Sequence, residues 1–446
     1  MDAHLTTRLT AAARDHAVPG AQLTLHRDGR TSSVVTGVTR AGGTDPVTPE
    51  TAFALGSVTK AFTATVVAQL AADGDIDLDD RIAEHVPELS SPAAPELSSV
   101  TIRQVLSHTA ALVADHELDN HEDASLIRYA ASVANTGLLN APGTCFSYSN
   151  TGYNLLGRAI EYVTDMKWRA ALENFLLRPL GIEPLLPQDS ADRSRPLATC
   201  HTVRPGGGPA QPVGLFLPHS WAPAGGLAAG ADDLVRFARL HLGDHPDAEV
   251  LLPGELRAEL ARPAPGADAF GMADGWGLGL ARYDSPDGVW LGHDGTVDGG
   301  TAHLRFHPAS GTALALTTNA GTGTLLWADL VAALRELGLA VGDYRPGLPA
   351  TAQPLPTDRA AVADRLVGEY RNGDTSFSVR SHPTGLRLSD GTGLVAELAL
   401  HGQSVFTARR LDAREAAWTG RFVTDPATGE AVVLQLGGRS ARRTAA

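Results

Sequence analysis

The chain is short of lysine. Only two of its 36 lysines and arginines are lysine, Lys60 and Lys167. Cysteine is scarce as well, and Cys145 and Cys200 make no disulfide framework. No uninterrupted apolar run is long enough to span a bilayer. Asp2, Arg8, Arg14 and Asp15 break up the first twenty residues, so no secretory signal is read there. The expectation is a soluble cytoplasmic protein. Positive charge is in deficit: the formal net charge is −14. That argues against a nucleic-acid partner, which is held by clustered Lys and Arg, and against a basic membrane-surface role. Gly-x-Ser-x-Gly, Gly-x-Gly-x-x-Gly and Walker loops are absent, which counts against an α/β-hydrolase and against nucleotide binding. His116 and His121 stand five apart, so a helix would point them away from each other; no metal site is expected.

What is present is ample for two or three domains: 446 residues, 43% of them apolar. Arginine, alanine, glycine and proline are in excess, as in a GC-rich genome, so a lysine that survives this bias attracts notice. Leu5 to His16 patterns as an amphipathic helix. Ala21 to Arg27 and Thr31 to Thr39 read as strands around an Asp28-Gly29 turn. Ser57 to Ala72, Thr101 to Leu106, Tyr153 to Val163, Asp232 to Leu242 and Leu325 to Leu337 read as helices. Gly288 to Leu291, Thr301 to His307 and Thr312 to Thr318 read as strands. Helices at both ends of an antiparallel section predict an α+β domain, helices packed on an antiparallel sheet, over residues 1–343. Residues 344–357, with four prolines, read as a linker. From 358 to 446 short alternating runs predict a small all-β barrel or sandwich; they include Ser376 to Ser381, Leu386 to Leu388, Val395 to Leu400, Trp418 to Val423 and Ala431 to Leu436.

Three short motifs carry chemistry. Ser57-Val58-Thr59-Lys60 places a hydroxyl and an amine on one helical face at a helix start. A buried lysine can shed its proton and accept one from serine, and free N–H groups there face a developing oxyanion. Tyr148-Ser149-Asn150 sets a phenol and an amide on one side of a turn. The phenol can relay a proton and the amide can hold a substrate carbonyl. His293-Asp294-Gly295-Thr296 ends a strand. There His293 can donate a hydrogen bond or carry charge near neutral pH, Gly295 lets a substrate backbone approach, and the Thr296 N–H can join that of Ser57 as an oxyanion donor. Each alone also fits a surface lysine or an ordinary turn.

Together and in this order, spaced by 91 and then 145 residues, they resemble the Ser-x-x-Lys, Tyr-x-Asn and Lys/His-x-Gly triplet of the serine β-lactamases and penicillin-binding proteins. The spacing resembles the class C branch and its esterase and D-peptidase relatives. FALGSVTKAFTA, TIRQVLSHTAAL, PGTCFSYSNTGYNLLGRAIE and PAGGLAAGADDLVRFARLHL resemble the same family in the right order, over roughly residues 1 to 343. The tail resembles the lipocalin-like domain that some members append. The resemblance implies a covalent acyl-enzyme on Ser57 with Lys60 as base. Tyr148, poised by Lys60 and His293, is the proton relay. Asn150 orients the acyl chain, and no metal or cofactor is needed. His293 stands where penicillin-recognising members carry lysine, so strong β-lactamase activity is not expected.

The substrate expected is a peptide or ester. The best reading is release and head-to-tail cyclisation of a non-ribosomal peptide thioester presented on a peptidyl carrier protein, as in penicillin-binding-protein-type thioesterases. A D-stereospecific peptidase or esterase is the enzymatic alternative, and an acyl-ligand sensor the non-enzymatic one. Arg439, just past Gly437 and Gly438, reads first as a solvated terminal charge, because chain ends fray; if the barrel leans over the cleft it can instead grip a substrate carboxylate or carbonyl. The nucleophile assignment is testable. Ser57→Ala should abolish turnover and labelling by a serine-directed fluorophosphonate while leaving the circular dichroism spectrum unchanged. Undiminished labelling would place the nucleophile on another serine.

Overall fold

A computed structural model describes residues 2–90, 95–118, 125–188, 195–204, 208–344, 364–383, 385–401, 404–411 and 418–444. Its centre is a seven-stranded antiparallel sheet. The strands run, side by side, Arg30–Gly37, Gly20–Arg27, Thr312–Thr318, Gly300–His307, Gly288–Val297, Ala281–Ser285 and Gly275–Trp276. The central strand Thr312–Thr318 is buried on both faces. Its alternate residues point opposite ways. Leu314 and Leu316 join one core with Leu5 and Leu9 of the helix Asp2–Asp15 and Leu326 and Leu330 of Gly323–Glu336. Ala313 and Ala315 join the other, with Phe62, Leu155 and Phe237 from the helices Thr59–Ala72, Asn150–Thr164 and Ala231–Leu242.

The helix Thr59–Ala72 is buried all round, from Thr59 to Leu70. Such a helix belongs to the interior rather than to an amphipathic surface. Ser57 does not open it, as the sequence suggested, but sits in a 3₁₀ turn, Gly56–Val58, that runs into it. The reason is steric. Gly56 has φ +52°, and a Cβ there would lie 2.5 Å from the Thr296 carbonyl oxygen. The turn is thereby pressed against the end of the strand Gly288–Val297.

The C-terminal strands close an eight-stranded antiparallel barrel around Tyr370, Leu388, Phe406, Phe422 and Leu434. Three of them, Gly368–Asn372, Val405–Arg410 and Arg439–Arg443, were not expected from the sequence. Each holds few buried apolar side chains, Tyr370 in the first, Phe406 and Ala408 in the second and Ala441 in the third, among arginines and polar residues such as Asn372 and Ser440, so little apolar alternation marks them. The edge strands Gly275–Trp276 and Ala281–Ser285 were missed for similar brevity. Of the expected linker, all but Tyr344 lies outside the described residues. The Tyr344 hydroxyl accepts the Gly271 N–H at 3.0 Å.

The barrel is hydrogen-bonded to the sheet-bearing part along one seam. Asn372 accepts the Ala114 N–H at 2.8 Å and donates to the Ser440 carbonyl at 2.8 Å. Ser440 Oγ donates to the Phe146 carbonyl at 2.9 Å, and the Ser440 N–H donates to Ser147 Oγ at 3.2 Å. The Tyr148 N–H donates to the Gly438 carbonyl at 2.9 Å. Gly438 has φ +75°, and a Cβ there would lie 2.2 Å from Met272 Sδ. Gly438→Ala should therefore destabilise the protein by roughly 1–3 kcal/mol and lower turnover, because it displaces the acceptor of the Tyr148 amide. Thermal melting and a chromogenic ester assay check this; an unchanged melt and rate would show that the hairpin relaxes without disturbing Tyr148.

Candidate active site

The seam and the sheet end bring the three motifs together. Lys60 Nζ lies 3.1 Å from Ser57 Oγ and donates to the Ala224 carbonyl at 2.6 Å. Lys60 has no exposed surface. Burial drives its pKa well below the ordinary lysine value; Asp115 opposes the drop and Arg439 adds to it. The amine is therefore poised to be neutral, with a lone pair for the Ser57 proton. Ser57 itself lines a cleft of about 190 Å³ with Asn150, Phe216, Trp221, Ala224 and Thr296.

Tyr148 is buried, and its ring centroid lies 4.9 Å from Lys60 Nζ. Its hydroxyl faces Ser57 and has no well-formed hydrogen bond among the described residues. Burial pushes the phenol pKa up, with the Ser57 contact opposing, so Tyr148 stands protonated. Ser149 caps the helix Asn150–Thr164 through the Gly152 N–H at 3.0 Å, which fixes where Asn150 emerges. Asn150 Nδ2 donates to Asp115 Oδ1 at 2.6 Å.

His293 is brought beside Tyr148, ring centroids 6.1 Å apart. Of its two expected roles, hydrogen bonding or carrying charge, the structure favours the neutral ring. Burial first, then the nearby Lys60, lowers its pKa to about 3. Nδ1 donates to the Asp294 carbonyl at 2.6 Å, which leaves Nε2 as a bare, buried lone pair. Tyr148 Oη and His293 Nε2 are thus two buried polar atoms without a hydrogen-bond partner among the described residues, which a reacting group can satisfy. Gly295 also differs from expectation. Its open side is taken by the chain itself: a Cβ there would lie 2.0 Å from the Leu55 carbonyl oxygen, so the close approach is to the nucleophile's turn and not to substrate. That contact sets the Thr296 backbone beside Gly56, as an oxyanion donor paired with the Ser57 N–H requires.

Arg439 is exposed yet paired rather than loose. Its Nη1 donates to Asp115 Oδ2 at 2.8 Å, one carboxylate away from Asn150.

Several residues that shape the site went unread in the sequence. Arg305, fully buried, grips Asp294 with both Nη atoms at 2.8 and 2.9 Å; His303 adds a contact at 2.7 Å and Tyr283 one at 3.1 Å. Burial would raise the Asp294 pKa, but Arg305 and His303 outweigh it and hold the carboxylate ionised. The turn after His293 is thereby locked. His108 accepts the Ser149 N–H at 3.1 Å and lies 4.3 Å from the Tyr148 ring. The alternation of His303 and Arg305 on one strand was the available signal for the first group; Asp115 had none. His116 contacts Ser132, and His121 lies outside the described residues. No group of residues suited to hold a metal ion occurs among the described residues. No helix there is long and apolar enough to cross a membrane.

A family model described as Beta-lactamase matches residues 5–339. Penicillin-binding protein 4 of Amycolatopsis lactamdurans is 38% identical over 370 residues, 81% of this chain and 96% of that protein. A crystal structure of SurE matches with a TM-score of 0.89 and 41% identity over 99% of each chain, and a further structure is of SurE with D-Leu. A D-stereospecific amidohydrolase from Streptomyces sp. matches 73% of this chain and 97% of its own at a TM-score of 0.57 and 25% identity.

Two changes test the proton path. Lys60→Arg, which keeps the charge but cannot lose it, and Tyr148→Phe should each lower kcat/KM about 10²-fold or more. The double variant should be little worse than either, since both would serve one path. In the unmodified protein kcat/KM should rise with pH as Lys60 deprotonates, and the depressed pKa puts that rise far below an ordinary lysine's range. A rise only near pH 10 would remove Lys60 as a neutral base.

Proposed function

The chain belongs to the beta-lactamase family, whose members are serine hydrolases, and from that premise we propose that it transfers acyl groups through an ester on Ser57. The observation that carries this is the 3.1 Å contact between Ser57 Oγ and a lysine with no solvent exposure. Neutral Lys60 takes the Ser57 proton as the oxygen attacks a carbonyl. The N–H groups of Ser57 and Thr296 receive the oxyanion. The tetrahedral adduct collapses, the bond to the leaving group breaks, and the proton passes by way of Tyr148 to that group. The second nucleophile then loses its proton along the same path in reverse.

We further propose that the acyl donor is a carrier-bound peptide thioester and that its own N-terminal amine resolves the ester, giving a ring. Three features support this over simple hydrolysis. The barrel seam holds two cavities, about 1320 and 610 Å³, the smaller bordered by Asp115, so there is room for a folded peptide beside the site. The likeness to SurE runs the length of the chain, and D-Leu in one SurE structure supports a D-residue at the reacting end here. The neutral His293 offers no fixed cation for a β-lactam carboxylate. The likeness to a D-stereospecific amidohydrolase favours hydrolytic release of a D-residue as the second reading.

The two readings divide on the attacking group. An α-amino group attacks only when neutral, and its pKa is about 7.7–8.0. A peptidyl thioester of ring-forming length with a free N-terminus should give cyclic product, with the cyclic fraction rising through that pH window. Its N-acetylated twin should give only slow hydrolysis. The same linear acid from both, at equal rates from pH 6 to 9, would leave the hydrolase.

A further inference from the structure

Asp115 lies on the stretch between the helix Ile102–Leu106 and the helix Leu126–Val133. It carries one of the charged contacts between the catalytic part and the barrel; Arg421 Nη1 with Asp268 Oδ2 at 2.6 Å is another. One carboxylate oxygen accepts from Asn150 at 2.6 Å and the other from Arg439 at 2.8 Å. The residue before it, Ala114, uses both backbone groups nearby: its N–H donates to Asn372 of the barrel, and its carbonyl accepts the Asn150 N–H at 2.8 Å. Asn150 is therefore held to this stretch by its main chain and its side chain together.

An ionised carboxylate only accepts hydrogen bonds, so the amide nitrogen of Asn150 must face it. One of the two Nδ2 hydrogens is thereby committed. The amide oxygen and the second hydrogen remain for the cleft that Asn150 lines with Ser57. An unpaired carboxylate there would pull freely on the amide and on any cationic group; Arg439 balances it. The pair is charge-assisted on both sides and sits at the seam, where docking of the barrel makes or breaks it.

We propose that Asp115 is a positioning residue which, clamped between Asn150 and Arg439 of the barrel, sets the orientation of the Asn150 amide and so makes recognition of an amide in the acyl chain depend on the docked barrel. The inference rests on the acyl-enzyme reading and adds to it a residue for specificity. It implies that acyl donors with an amide next to the reacting residue use the pair, and that donors without one do not.

The same geometry has an electrostatic consequence. The groups facing Lys60 are Ser57, Tyr148 and Tyr153, with His108 and His293 beyond them and Asp115 and Arg439 acting from the seam. Asp115 raises the Lys60 pKa and Arg439 lowers it. Removing either partner of this one ion pair should therefore move the acid limb of kcat/KM in opposite directions. Asp115→Asn moves it to lower pH, and Arg439→Ala to higher pH. A pair that served only to hold the barrel on would shift both the same way, or neither.

The experiment uses the full-length chain and two esters of the same D-residue. One is N-acylated by a further residue through an amide, and the other through a non-hydrogen-bonding methylene isostere. Burst acylation of the unmodified protein by either ester establishes the Ser57 reaction; no burst from either would sink the functional reading itself. Given a burst, Asp115→Asn, measured on the high-pH plateau, should lose about 10- to 100-fold in kcat/KM on the amide ester and under about threefold on the isostere, the scale of a hydrogen bond to a charged group. Asn372→Ala, which loosens the barrel at Ala114 without removing the Asp115 carboxylate, should show a selective loss on the amide ester in the same direction. Equal loss on both esters for Asp115→Asn, no loss on either, or acid limbs that move together would overturn the assignment. Should Asp115→Asn prove unstable, Asp115→Glu, which keeps the charge and displaces it, must show the same selective loss with the acid limb unmoved.

Discussion

A lysine held entirely away from water is the constraint on which the site depends. An ammonium group buried without a paired carboxylate is costly, and it relieves that cost by giving up its proton. The nearest acidic group, Asp115, is spoken for by Arg439 and Asn150, so it does not rescue the charge. The wholly buried helix Thr59–Ala72 carries Lys60, and the segment ending at Gly225 supplies the carbonyl of Ala224 that fixes it. Replacing the surrounding apolar packing by water would return an ordinary lysine, a poor acceptor for a serine proton.

The barrel takes part in that exclusion of water. It reaches the site at its last hairpin, where Gly438 receives the Tyr148 amide and Arg439 meets Asp115. Ser440 holds the two residues before Tyr148. Tyr148, the proposed proton relay, is thus packed in the core of the sheet-bearing part and tied by its amide to the barrel. An appended binding module would not need backbone hydrogen bonds to the strand-like stretch Phe146 to Tyr148. The presence of three such bonds makes the all-β part a structural component of the proposed active site.

Much of this was legible in the sequence, for reasons that can be named. Ser57 and Lys60 are three apart because the chemistry needs one helical face, and local spacing survives in a linear reading. The sheet strands could be found where turns such as Asp28-Gly29 delimit them, or where alternation sends Leu314 and Ala315 to different cores. The barrel strand Arg439–Arg443 was invisible because Ala441 is the one apolar residue among its five. Asp115 was invisible because its role arises from contacts with distant segments. The charge state of His293 was left open for a related reason: burial sets it, and burial belongs to the fold. Gly295 was assigned the right property, close backbone approach, with the wrong partner.

The distribution of charge follows from these facts. Lys60, Tyr148, His108 and His293 are all driven toward their neutral forms by burial. The ions closest to them are paired and set at the margins: Asp115 with Arg439 on the barrel side, Asp294 with Arg305 on the sheet side. In such a centre a proton moves between neutral partners, and the charges that appear during reaction are transient and close to fixed dipoles. That arrangement favours a transition state that develops an oxyanion beside backbone N–H groups over a ground state that already carries charge. A substrate bearing a permanent carboxylate next to Ser57 would meet no free cation there except by drawing Arg439 from Asp115. A neutral acyl ester or thioester meets no such obstacle, and the buried lone pair of His293 and the free hydroxyl of Tyr148 are left for its leaving group and for the nucleophile that replaces it.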